Sequence, residues 1–377
     1  MKAEFRVRLA VPTVLFVSAA VLLTGADTGS AQPSGLTVHE WGTFTSVAGE
    51  DGSAVDWDAR GCQDDLPRFV NVFGYPGFKG RLAGTVRMET PVIYFYSSRE
   101  LEASVKVAFP HGLITEWYPQ AEQVAGTIEW KKITVQPDTT PVLPVEAGHS
   151  HYYAARETDA APIAAGNQHE RFLFYRGVGR SSVPLSARLS DDGTIMVENL
   201  RHGTIPRVVL FENREGHIGY REVSPLENRV TLAPPSLDGS IEELRTDLET
   251  ALVAQGLFPR EAHAMVETWR DSWFEEGSRL IYILPSPAVD SMLPLQVEPA
   301  PEQTSRVFVG RIELITPAMK RSVEHAVAGS DRSVLSRYGR FLDPILTRIS
   351  AGNPSAASQV EQFRRNAPES VVSRSCR

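Results

Sequence analysis

VRMETPVIYFYSSRELEASVKVAFPHGLITEWYP, residues 86–119, decides the fold. Its first half holds Val92–Tyr96, an unbroken apolar and aromatic run, short enough for a strand and suited to the middle of a sheet. Pro91 stands at the entry of that run, one of the few places where a strand tolerates a missing N–H. Ser97-Ser98-Arg99-Glu100 reads as a polar turn. Beyond it the chain alternates, with Leu101, Ala103, Val105, Val107 and Phe109 on one face and Glu102, Ser104, Lys106 and Ala108 on the other. The expectation is a β-hairpin with one face in a core, closed off by Pro110.

Working outward, Leu36–Val47 has the β-branched and aromatic composition of a strand, and Pro67–Phe73 and Thr127–Val135 follow the same logic. His149–Arg156, Arg171–Arg176 and Leu185–Leu189 are expected as short strands. Asp191-Asp192-Gly193 joins Leu189 to Ile195–Asn199 with hairpin turn chemistry, and Arg214-Glu215-Gly216 does the same between Arg207–Asn213 and His217–Val223. Short strands at this spacing indicate a mainly β chain, an antiparallel sandwich-like region over residues 32–235.

Near Ser236 the pattern changes to a smaller α/β region, expected over residues 236–350 and packed on the first. Ser240 and Glu243 form a capping box ahead of Ile241, Leu244, Leu248, Ala251 and Leu252 at helical spacing. Gly256 stops that helix and Pro259 starts the next, whose apolar face is Ala262, Met265, Val266, Trp269 and Trp273. Arg279–Leu284 and Arg306–Ile315 read as strands. Thr316-Pro317 opens a helix to Ala328, and a last helix over Ser333–Ile349 is expected to kink or split at Pro344. Residues 351–377 read as a polar, flexible tail.

The 377 residues are 42% hydrophobic and 22% charged, the balance of a chain that folds around a filled core. A net charge of −8 argues against a nucleic-acid partner, which would leave a basic footprint. Basic residues are mostly arginine, 32 against 6 lysines, as a GC-rich genome would give. Lys2, Arg6 and Arg8 precede an apolar run from Leu9 to Leu23, and Gly29-Ser30-Ala31 supplies small residues for cleavage. Residues 1–31 are therefore expected to be a signal peptide. The exported chain would carry −9, would reside in the periplasm or outside the cell, and would keep no transmembrane segment. Cys62 and Cys376 would meet an oxidising compartment, with a bridge and free thiols both open.

The runs HEWGTFTSVAGEDG (His39–Gly52), VRMETPVIYFYS (Val86–Ser97), GLITEWYP (Gly112–Pro119), YYAARETDAAP (Tyr152–Pro162), TWRDSWFEEG (Thr268–Gly277) and VFVGRIELITP (Val307–Pro317) resemble a family of uncharacterised exported bacterial proteins. The resemblance spans nearly the whole chain after the leader. It implies one linear architecture and carries over no catalytic residue.

Carboxylates on apolar strand faces are the candidates for chemistry, because residues two apart in a strand share a side. Glu40 shares its side with Val38 and Phe44, Glu89 with Ile93 and Phe95, and Glu116 with Ile114 and Tyr118. Glu129 shares a side with Lys131 and reads as solvated. A buried carboxylate needs a positive partner or several donors. Arg87, His39 and Arg156 are candidate partners, and Trp41, Trp117 and Tyr118 are candidate rims of a ligand pocket. Ion pairs tying strands together are the alternative. His149 and His151 lie on one side of their expected strand, a spacing metal sites use, but no third ligand is near. No elbow, zinc-binding or phosphate-loop motif is present, and no cofactor is expected. Two functions are open: an exported, envelope-associated binding or structural protein of unknown ligand, or an extracytoplasmic hydrolase, glycoside-directed, using paired carboxylates.

The leader generates a direct expectation. Protein recovered from its native host should begin at Gln32 on N-terminal sequencing; intact Met1 on membrane-bound material would make the leader an anchor.

Overall fold

The computed structural model describes residues 35–58, 65–74, 82–148, 150–352 and 354–366. The leader, Cys62, His149 and Cys376 lie outside the described residues. The strands are β1 (Leu36–Val47), β2 (Trp57–Asp58), β3 (Asn71–Val72), β4 (Ala83–Gly84), β5 (Val86–Ser97), β6 (Leu101–Ala108), β7 (Gly112–Tyr118), β8 (Glu122–Val124) and β9 (Thr127–Val135). There follow β10 (Ile163–Ala165), β11 (Gln168–Glu170), β12 (Leu173–Gly179), β13 (Leu185–Leu189), β14 (Ile195–Asn199), β15 (Val208–Arg214), β16 (His217–Val223) and β17 (Arg229–Leu232). Then β18 (Gly277–Ile283), β19 (Leu295–Glu298) and β20 (Gln303–Leu314) alternate with helices α1 (Ile241–Ala254), α2 (Pro259–Trp273) and α3 (Ser286–Met292). Four helices close the described chain, α4 (Pro317–Gly329), α5 (Arg332–Arg337), α6 (Leu342–Gly352) and α7 (Pro354–Asn366).

Three layers result. The middle layer is a nine-stranded sheet in the order β16-β15-β18-β20-β1-β5-β12-β7-β3. One of its faces packs on the six-stranded sheet built around β9 and β6 and on the three-stranded sheet β13-β14-β17, around Phe44, Phe95, Trp130, Leu210 and Phe308. The other face is covered by α1 and α2 through Leu248, Met265, Trp269 and Trp273, which meet Trp41, Tyr94, Phe211 and Val309. Helices α4 to α7 form a third cluster against Val47, Trp57 and Val178. The fold is mainly β, antiparallel-rich and sandwich-like, with β1 and β20 as a parallel pair. Because both faces of the middle sheet are covered, β1 is buried almost end to end, and its sequence shows no polar face.

Local chemistry accounts for the element ends. Ser240 accepts from the Glu243 N–H at the start of α1, and Thr316 accepts from the Met319 N–H at the start of α4. In the β15–β16 hairpin Glu215 and Gly216 both take positive φ, 54° and 84°, which a type I′ turn demands. The last helix is split, but upstream of Pro344 rather than at it: α5 gives way to a 3₁₀ turn at Gly339–Phe341, and Pro344 sits in the first turn of α6, where a missing N–H is tolerated.

Several expectations are corrected. The strands on either side of Ser97–Glu100 do not form a hairpin: β5 lies in the middle sheet between β1 and β12, and β6 lies in the six-stranded sheet between β9 and β19. The polar turn carries the chain from one layer to the other, and the alternation in β6 is the half-buried face of the second sheet. Pro91 is inside β5 rather than at its start. It sits at a β-bulge, where Trp41 pairs with Val92 and Thr43 with Glu89, so β5 has one residue more than β1. Opposite the bulge, a Cβ on Gly42 would lie 3.0 Å from the Pro91 Cα and 2.7 Å from the Phe308 ring, so only glycine fits that approach. His151–Arg156 is a 3₁₀ helix capped by Ser150, not a strand. Residues 354–366 are helical, with Val360 buried, and not a loose tail. Strands from both sides of residue 235 interleave in the middle sheet, β18 and β20 lying between β15 and β1.

That interleaving makes a fragment of residues 236–350 unable to complete its own sheet. It would expose the outer edges of β18 and β20 and the faces of α1 and α2. Such a fragment should be aggregated or molten; a sharp cooperative melt with dispersed NMR signals would contradict this.

Candidate functional site

The bulge in β5 turns Glu89 over. Instead of sharing a side with Ile93 and Phe95, which point into the sandwich core, Glu89 points to the helix-covered face with Val92 and Tyr94. Thr90 takes φ 46°, a left-handed conformation that a β-branched residue adopts rarely. Its hydroxyl accepts from Arg176 Nη2 at 3.1 Å, a bond that helps hold the strained residue. A second irregularity, between β7 and β12, separates Ile114 from Glu116. Glu116 keeps the side of Tyr118 and stands opposite Arg176.

These shifts assemble a belt of charge across the helix-covered face. Arg279 of β18 donates to Glu313 of β20 at 3.0 Å, and Arg311 of β20 bridges Glu313 at 3.0 Å and Glu275 at 2.6 Å. Thr45 of β1 donates to Glu89 at 2.8 Å, and Arg87 lies 3.3 Å from the same carboxylate. Arg340, from the 3₁₀ turn before α6, also pairs with Glu89, and Arg176 pairs with Asp65 at 2.8 Å. Ser272, in the last turn of α2, accepts from both Arg311 and Arg340 at 2.7 and 3.0 Å. Five guanidinium groups (Arg87, Arg176, Arg279, Arg311, Arg340) thus face five carboxylates (Asp65, Glu89, Glu116, Glu275, Glu313).

The electrostatics follow from that neutrality. Burial would raise the Glu89 carboxyl, but Arg340, Arg87, Arg311 and the Thr45 hydroxyl outweigh it and hold it at about 2. Glu313 is likewise lowered, its burial outweighed by Arg279 and Arg311. Arg87 is lowered by burial, with Glu89 opposing and Arg176 and Arg340 adding to the fall.

Glu40 lies on the opposite face, in the sandwich core with Val38 and Phe44, as its alternation implies. It accepts from Arg306 Nε at 2.6 Å and from the Tyr175 hydroxyl at 2.5 Å, and Arg306 continues to Asp290 of α3. Burial and then Glu40 raise the Tyr175 hydroxyl, so it stays a donor. Glu40 is therefore separated from Glu89 and Glu116 by the sheet itself. Glu129, in β9, is half-buried.

The remaining candidates disperse. His39 is fully buried, its Nδ1 2.8 Å from Glu261 of α2, whose carboxylate also accepts from the Tyr96 hydroxyl and the Phe258 N–H. Trp41 and Tyr118 are core residues of the helix side, and Trp117 is core on the sandwich side, so none forms a rim. His151 stands at the surface, 3.6 Å from Asp271. Among the described residues no group of three or more His, Cys, Asp or Glu side chains is placed to hold a metal ion.

Arg156 lines an open cleft. Glu170, fully buried, takes its Nε at 2.9 Å and its Nη2 at 2.6 Å, and Pro144 O takes Nη2 at 2.9 Å. It lines a cleft of about 890 Å³ where β5 leaves the middle sheet, with Arg171, Arg260, Glu157 and Asp159 on the other walls. Glu40, Glu89 and Glu116 are not among the lining residues of that cleft. Sequence reasoning missed Arg306, Arg311, Glu313, Arg279 and Arg340. The first four were within reach of the same alternation test, since Arg311 and Glu313 share a side with Val307 and Val309, and Arg279 with Ile281. Arg340 gave no signal, because its contact with Glu89 spans 251 positions.

No family model and no curated protein matches the sequence. Among solved structures the chain is similar to the yeast delta-COP-I mu-homology domain, alone (TM-score 0.30) and complexed with a Dsl1 WxWxV peptide (0.28). Each likeness covers 74% of this chain and 96% of that one at 9% identity, too loose to bear on fold or function.

The belt predicts a pH dependence. Glu89 binds its proton less readily folded than unfolded, so its stabilisation is complete above the ordinary 4.5 and is lost as pH falls towards about 2. The free energy involved is on the order of 3 kcal/mol, with Glu313 acting in the same direction. In urea melts across this window, Glu89→Gln should show a flatter dependence than the parent. Equal slopes would mean that Glu89 is not ion-paired.

Proposed function

We propose that this is an exported, envelope-associated binding or structural protein whose buried acids serve the fold and not a hydrolytic reaction. One observation carries the reading: Glu40 and Glu89 are each paired with an arginine, Glu116 stands opposite Arg176 in the register, and the sheet divides the first from the other two. Hydrolysis by paired carboxylates asks for two acids facing one cleft across roughly 5–10 Å, one of them with a raised pKa. Here Glu89 is held low, and none of the three acids lines the open cleft. Export rests on the leader and on the resemblance of the chain to exported bacterial proteins. No helix among the described residues is long and apolar enough to cross a membrane, which accords with attachment to the envelope by other means or with none.

The test compares Glu40→Gln, Glu89→Gln and Glu116→Gln with Glu129→Gln. Each change keeps the side-chain shape and removes the charge. At least two of the first three should destabilise by roughly 1–3 kcal/mol, because a buried guanidinium loses its counter-charge. Glu129→Gln should stay within about 0.5 kcal/mol of the parent. Unchanged or raised stability in the three would instead mark them as acids held under strain for chemistry, and the hydrolase reading would replace this one.

A further inference from the structure

We infer that the cleft beside Arg156 binds a sugar carrying a carboxylate, with the carboxylate seated on Arg171; this rests on the binding-protein reading and specifies its ligand class. The cleft forms where β5 ends at Tyr96 and Ser97, under the proline-rich strap that includes Pro137 and Leu143, beside the first turn of α2. Its volume, about 890 Å³, lies in the range of small-molecule sites.

Arg171 is set apart from the other arginines of the interior. The belt guanidinium groups and Arg306 have carboxylates, whereas among the described residues the Arg171 side chain makes one polar contact, Nη1 to the Ala160 carbonyl at 3.1 Å. That carbonyl takes one nitrogen of the guanidinium and leaves the others for a ligand in the cleft that Arg171 lines. The nearest acid in sequence, Glu170, is already occupied: it holds Arg156 through two bonds, accepts from the Tyr152 hydroxyl at 3.0 Å and takes the Arg171 N–H at 2.9 Å. Glu170 therefore orients Arg156 and neutralises it, while Arg171 keeps an unmatched positive charge beside it. A planar fork with a free edge matches a carboxylate through two parallel hydrogen bonds.

The other walls say what kind of carboxylate fits. Ser98, Thr139 and Thr158 offer hydroxyls, and Glu157 and Asp159 offer acceptors for a ligand's own hydroxyl groups. The same two acids oppose a densely charged polyanion, so one carboxylate on a polyhydroxyl body suits the cleft and a polyphosphate does not. At its mouth, Arg260 and Asp159 pair at 2.5 Å with both side chains more than half exposed. Such a pair contributes about 0–1 kcal/mol, so either partner can turn to a ligand at little cost.

The test is titration calorimetry of the full exported chain with D-glucuronate, with D-glucose as the uncharged parent sugar and with acetate as a carboxylate without the sugar. Glucuronate should bind at least tenfold more tightly than either comparison. Arg171→Gln, which loses one carbonyl contact and should melt like the parent, should lower glucuronate affinity at least tenfold. Arg180→Gln, exposed and paired with Asp56 away from the cleft, should leave it unchanged. Equal affinity for glucose or acetate, parent-like affinity in a folded Arg171→Gln, or no heat with millimolar glucuronate would each overturn the assignment. Release of new reducing ends from a polyuronate would overturn the non-catalytic reading instead, and would leave the seat of the carboxylate to be judged by the affinities.

Discussion

The neutral belt of arginine and carboxylate across the middle sheet is the constraint on which the rest of the molecule depends. It draws one group or more from β18, β20, β1, β5, β12 and β7, then from the segment after α2 and the turn before α6. Remote parts of the chain must therefore arrive together, or charge is left buried alone. Breaking one member of such a set costs more than the set contributes against a well-packed apolar replacement. Its effect is thus on which arrangement is allowed, more than on how stable that arrangement is. The apolar faces of α1 and α2 could rest on the sheet in several registers. The contacts of Ser272 and Glu275 with Arg311 allow one.

Arginine is suited to this position in a way lysine is not. Arg279, fully buried, donates to Glu313 and to the carbonyls of Trp273, Glu275 and Glu276, so each nitrogen has an acceptor. An ammonium group has three donors and no plane, and would leave part of that set unmet. Lys131 and Lys132 are paired only at the surface, with Glu122 and Glu102. Genome composition can account for the number of arginines, but the demand for several acceptors on one buried cation accounts for where these stand.

Much of the fold was legible from local pattern. The limits of β1 and β9, the turns at Gly193 and Glu215-Gly216, and the helix starts at Ser240, Pro259 and Thr316 all follow from short-range chemistry. What was not legible depended on one inserted residue or on distant partners. Alternation assumes an unbroken period of two, and the extra residue at Thr90 reverses it, so Glu89 was assigned to the wrong face while Glu40, in unbulged β1, was assigned correctly. The signal was present in hindsight: a proline within an apolar strand is tolerated at a bulge, and Pro91 lies there. The step from β5 to β6 is harder, because a four-residue polar turn serves a hairpin and a crossing between layers equally well. Only the pairing of β5 with β1 and β12 distinguishes them.

The same geometry separates the part of the molecule that holds from the part that can bind. On the helix-covered face, each arginine in the belt is matched by an acid, so it has nothing to offer a ligand. At the far end of β5, Glu170 matches Arg156 and leaves Arg171 over, and this happens at a wall open to solvent. Two adjacent arginyl contacts differing in that one respect are hard to explain by stability alone, since an unmatched half-buried cation is unfavourable unless something answers it. Within one strand, then, β5 carries both uses of charge. Glu89, turned by the bulge, closes the belt, and Tyr96, six residues beyond Thr90, brings the strand to the edge of the cleft while its hydroxyl ties that edge to Glu261 and, through it, to His39 of β1. The cleft wall is thereby fixed to the middle sheet by hydrogen bonds independent of the belt, so a change in one region need not be transmitted to the other.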